Sequence, residues 1–159
     1  MATERAEIRM KQRDSGRAAG RPDVSWGRLV AVGAGVVVAS VIANVLIAQV
    51  LASLFQVPAA FTALRPAPVA SLTVLGIIGA VLVFAALTRL RPDPVRAFTV
   101  VATIGLVISW APDLALYAAG APGTTVAGIL SLMSLHVVAA AIAVFLLGRY
   151  GLRPGSGRP

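Results

Sequence analysis

The chain has 159 residues, 58% of them hydrophobic and 13% charged, and its mean hydropathy of +0.87 is too high for a water-soluble domain of that size. Cysteine is absent, which excludes disulfide frameworks, thiolate zinc sites, Cys-ligated iron–sulfur clusters and thiol redox chemistry. A net charge of +8 would suit nucleic acid only if the cations gathered on one binding face.

Residues 1–25 mix arginine and lysine with Glu4, Glu7, Asp14 and Asp23 and carry almost no apolar periodicity. Such a segment cannot bury enough surface to order itself, so it reads as a disordered basic tail. Residues 26–150 read as a four-helix transmembrane domain, and residues 151–159 as a Gly/Pro-rich polar C-terminal tail. No charged residue occurs from Leu29 to Leu54, a run longer than the ~20 residues that cross the hydrocarbon. It is also too long, and starts too far into the chain, to be a cleavable signal peptide. Within it Ala31, Gly35, Ala39 and Ala43 recur at every fourth position and predict a flat helix face. That face suits close packing inside the bundle or pairing with a second copy.

Pro58, Arg65, Pro66 and Pro68 mark a first loop, and the second span is expected over 69–88, with Gly76 and Ala80 as its small-residue notch. Arg89, Arg91 and Arg96 surround Pro92, Asp93 and Pro94 in a tight turn. The third span, about 97–118, is interrupted by Pro112 and Asp113. Gly120, Pro122 and Gly123 form the next turn, and the fourth span covers 126–147. The fold class is therefore all-α, a polytopic four-helix membrane bundle.

Seven cations precede or open the first span, three lie in the second loop and three follow the last span, so thirteen of fourteen fall on one side. The positive-inside rule makes that side the cytoplasm, with both termini there and the protein in the plasma membrane. Trp26 and Tyr150 then sit at one membrane interface and Tyr117 near the other. Topology accounts for the charge, and nucleic acid is not an expected partner. The lipid bilayer is, together with a homo-oligomeric or membrane-protein contact through the small-residue faces.

Polar side chains inside a bilayer need a partner or a cavity. Counting at 1.5 Å per residue from the cytoplasmic ends, Asn44 lies at about 22 Å, Asp113 at about 24 Å, Ser109 at about 18 Å and His136 at about 16 Å. Ser109 shares a helix face with Asp113, four residues on. The expected cluster has Ser109 meeting His136 near the midplane, with Asp113 above and Asn44 across from it. Pro112 deprives the Ile108 carbonyl of its helical donor and is expected to bend the third helix there. Gln49, Thr103, Ser131 and Ser134 either extend this network or bond their own helix backbones.

Two readings of Asn44, Ser109, Asp113 and His136 stay open. They bind or conduct a proton, cation or small ligand as a coupled group, or they only fix helix register in an accessory subunit. Hydrolysis by a Ser-His-Asp set is disfavoured, because hydroxyl and acid share one helix face and no oxyanion device is visible. One histidine and one aspartate are too few for a metal site, and no cofactor is implied.

With its four spans, Asn44, the Ser109–Asp113 segment and His136-Val137-Val138-Ala139, the chain resembles a family of small four-span bacterial integral membrane proteins classed as a domain of unknown function. The resemblance covers about Trp26 to Arg149 and implies the fold. It carries no activity, cofactor or catalytic residue.

Overall fold

The structure is a computed structural model describing residues 25–152 together with residue 7. The N-terminal tail expected over 1–25 and most of the C-terminal tail, from residue 153 on, lie outside the described residues. From residue 25 on, the described residues form four long helices, α1 (Trp26–Leu54), α2 (Pro66–Leu90), α3 (Pro94–Ala118) and α4 (Val126–Tyr150), with a short 3-10 helix at Thr62–Leu64 between α1 and α2. Each of the four is long and apolar enough to cross a membrane. They run up to three residues beyond the uncharged stretches. Pro66 and Pro94 open α2 and α3, where a missing N–H is harmless, and Arg89 and Arg149 lie in the last turns of α2 and α4, where a cation suits the helix dipole.

α1 packs against α2 and α4, α3 packs chiefly against α4, and α2 and α4 also touch, while α1 and α3 make no contact. The bundle is therefore a rhombus with α1 and α3 at its far corners. α3 is the least enclosed helix, burying only Pro94, Phe98 and Asp113.

Two apolar clusters hold the helices. One, at the arginine-rich end where the termini lie, gathers Leu29, Val36, Ile77, Phe84, Phe98, Ala143 and Leu147. In it the Phe84 and Phe98 rings meet edge-on at 5.2 Å and 78°, a contact worth about 0.5–1.5 kcal/mol beyond burial. Arg28 Nε donates to the Tyr150 carbonyl at 2.8 Å, and the Arg89 guanidinium lies 4.5 Å from the Trp26 ring centroid. These contacts tie α1 to α4 and α2.

The other cluster, at the opposite end, gathers Ala48, Phe61, Leu64, Val69, Ile129, Leu132 and Leu135. It is closed by a lid made from both loops of that end. Gly123, at φ 73°, lies so close to the first loop that a Cβ there would sit 2.5 Å from Phe61 N. Gly128 similarly makes room for the Phe61 ring. Gln49 Nε2 donates to the Leu64 carbonyl at 3.2 Å, and Arg65 to that of Ala59. α1 and α3 end alike. Backbone N–H groups of Gln56 and Val57 reach Ser53 and Ala52, and those of Gly120 and Ala121 reach Tyr117 and Leu116, the Schellman pattern in each case. Its left-handed position is Gly120 in α3 but Gln56, at φ 49°, in α1.

The helix faces correct one expectation. The inward line of α1 is Leu29, Gly33, Val36, Ser40, Asn44 and Ala48. Gly33 is the residue that permits close approach, since a Cβ there would meet Val81 Cγ1 at 3.1 Å. Gly35 is two residues, or about 200° around the helix, from Gly33, and it faces outward with nothing within 4 Å of an added Cβ. Gly76 is exposed in the same way. Ala39 and Ala43 are half-buried, and Ala80 packs against the Phe84 cluster. A period of four residues tracks a face without saying which way it points.

Candidate functional site

Asp113 and His136 come together where α3 meets α4. Helical Cα–Cβ bonds tilt toward the N-terminus, so His136 leans back along α4 toward Leu132 and toward the lid. Its Nδ1 lies 2.9 Å from the Leu132 carbonyl oxygen and 3.3 Å from Asp113 Oδ2. One nitrogen thus faces two oxygens. With a proton on Nδ1, the ring donates to Leu132 and presents the same hydrogen sideways to Asp113. With the proton on Asp113, the carboxyl faces a bare ring nitrogen. The 3.3 Å approach is an ion-pair distance without hydrogen-bond alignment, and Oδ2 has no other partner.

The two side chains differ in enclosure. Asp113 is the one buried acid among the described residues, with its side chain 10% exposed, whereas that of His136 is 36% exposed. On α3 the indole Nε1 of Trp110 is also buried and unpartnered. It lies three residues before Asp113, hence on the same face. Leu116, Leu132 and Leu135 belong to the cluster beneath the lid, so the pair sits against that cluster. α3 continues as a helix through Pro112, which is exposed.

The expected four-residue cluster separates into different contacts. Asn44 does not face Asp113, because α1 and α3 occupy opposite corners; its Nδ2 instead donates to Thr73 Oγ1 on α2 at 3.0 Å. Ser109 is half-buried and does not meet His136; its hydroxyl donates to the Leu106 carbonyl at 2.6 Å. A serine in a helix can satisfy itself this way without a partner on another helix. Thr103, Ser131 and Ser134 bond the carbonyls of Thr99, Ala127 and Ser131 in their own helices.

The model of the family of unknown function DUF6069 matches residues 20–153. The chain belongs to this family. No curated protein and no solved structure matches it.

In this DUF6069 member three participants escape a reading of charged and strongly polar residues. Thr73 completes the contact of Asn44, Trp110 brings a buried donor to the face of Asp113, and the Leu132 carbonyl engages His136. Only Thr73 had a usable signal. Counted from Thr88 it lies about 22 Å up α2, the depth of Asn44. The resulting arrangement has one ionisable pair able to hold or shift a proton between adjacent atoms, and one neutral pair able only to hold two helices in register.

Proposed function

We propose that this protein resides in the bacterial plasma membrane with both termini in the cytoplasm, and that its Asp113–His136 pair takes up and passes on a proton or small cation. The 3.3 Å contact between the two ionisable side chains at the α3–α4 seam carries this reading. Ionisable groups at membrane depth are expensive to keep and by default belong to ion or proton pathways. The engagement of Nδ1 supports it further, because the nitrogen that is hydrogen-bonded to the Leu132 carbonyl also faces Asp113 Oδ2, which has no aligned hydrogen bond of its own. The orientation rests on thirteen of fourteen cations lying on the side of the termini.

A second reading, an accessory subunit of a membrane complex, is favoured by the outward glycines Gly35 and Gly76 and by the exposed length of α3. Cysteine labelling separates the two. The chain has no cysteine, so Asp113→Cys and His136→Cys each introduce a sole thiol. Reaction with a membrane-impermeant thiosulfonate in sealed vesicles supports the proton or cation site. Thiols that stay inert in vesicles but react after denaturation support the accessory subunit.

A further inference from the structure

At the arginine-rich end, the last turn of α2 and the first turns of α3 enclose an open groove of about 420 Å³ lined by Leu87, Arg91, Asp93, Arg96, Val100 and Val101, among others. We propose that this groove binds one anionic phospholipid from the adjoining leaflet, its phosphate between Arg91 and Arg96 and an acyl chain along Leu87, Val100 and Val101. Charge complementarity and the shape of the lining select that occupant. The groove is apolar along its length and cationic at its water-facing mouth, which is the polarity of a phospholipid entering from the side.

Three of the four other described arginines that end the spans are engaged, and the fourth, Arg149, is exposed but lies outside the groove lining. Arg28 bonds Tyr150, Arg65 bonds Ala59 and Arg89 stacks on Trp26. Arg91 and Arg96 are exposed and have no side-chain partner among the described residues, although both line the groove. Asp93, the one acid in the lining, has its Oδ1 accepting the backbone N–H of Arg96 at 3.1 Å. It caps α3 and leaves two guanidinium groups against one carboxylate. Arginine forks match phosphate oxygens in a bidentate way that a generic surface charge does not. Beyond Val100 and Val101 the exposed face of α3 continues through Ile104, Val107 and Ile108, so a chain leaving the groove stays on apolar surface. Basic pockets between membrane helices bind anionic head groups on this principle.

The test is native mass spectrometry of the full-length protein released from nanodiscs containing equal amounts of phosphatidylglycerol and phosphatidylcholine. The unmodified chain is expected to retain phosphatidylglycerol selectively, as a single adduct. The R91Q/R96Q double variant should lower that retention about thirtyfold, whereas R149Q, at the same end of the bundle but outside the groove lining, should change it less than about twofold. No preference for phosphatidylglycerol in the unmodified chain overturns the proposal without recourse to any variant. Equal loss in R149Q overturns it in favour of diffuse attraction to the leaflet, and displacement of the lipid by inorganic phosphate overturns it in favour of a head-group site alone.

Discussion

Asn44–Thr73 and Asp113–His136 are both single polar contacts between neighbouring helices, and they differ in everything that matters for function. The first joins two buried neutral groups by an aligned bond of 3.0 Å. Nothing about it responds to protons, and it holds α1 to α2. The second joins two ionisable groups at 3.3 Å, with the ring nitrogen also engaged by its own helix and its side chain more than a third exposed. A membrane bundle needs only the first kind to set its register. The second kind lies at a seam where α3 is otherwise lightly buried.

Gly123→Ala tests what the two pairs share. Ala48 and Val69 lie four residues from Asn44 and Thr73, and Leu132 and Leu116 lie four and three residues from His136 and Asp113, so the lid cluster borders both pairs. A Cβ at position 123 meets the first-loop backbone and sits at a positive φ, so the substitution should destabilise the fold by about 2–4 kcal/mol. Thermal unfolding in detergent measures the loss. In the same background, labelling of Asp113→Cys should quicken while Asn44→Cys stays inert, because helix packing encloses Asn44. Equal quickening at both positions would erase the distinction between the pairs.

Asn44→Ala has the next largest effect. It removes an interhelical bond and leaves Thr73 free to bond its own helix, for an expected loss of about 1–2 kcal/mol. A double-mutant cycle with Thr73→Val reads the coupling directly. A coupling near zero would mean that packing alone sets the α1–α2 register.

Four membrane-length helices were legible because hydropathy, Pro/Gly punctuation and arginine placement all report on the same boundaries. Lateral arrangement was not. Depth along a helix can be counted from the sequence, and by that count Asp113 and His136, which lie 3.3 Å apart, fall in one region of the bundle. Depth does not reveal which helices are adjacent, and Asn44 was set opposite Asp113 although α1 and α3 never touch. Ser109 was misplaced for a different reason: a hydroxyl that can bond the preceding turn has no obligation to seek another helix. Thr73, which the sequence reading does not single out, is the hydroxyl that does meet another helix. The lid was invisible because Gly123 against Phe61 is a contact between two loops far apart in the sequence.

The smallest effect on stability, and the sharpest on function, is expected from Asp113→Asn. The amide keeps the size of the carboxylate and its Oδ1 can face the His136 Nδ1–H as the carboxylate does, so the fold should change by no more than about 0.6 kcal/mol. The proposed proton exchange within the pair would be lost. The protein carries two tryptophans, and Trp26→Phe leaves Trp110, on the face of Asp113, as sole reporter. If the pair exchanges a proton as proposed, Trp110 emission should depend on pH in the Trp26→Phe protein and become flat when Asp113→Asn or His136→Ala is added. A pH response that survives both additions would assign the titration elsewhere and reduce Asp113–His136 to the structural role of Asn44–Thr73. A flat response already in the Trp26→Phe protein would also count against the proton site, because a pair that does not titrate cannot take up a proton and pass it on.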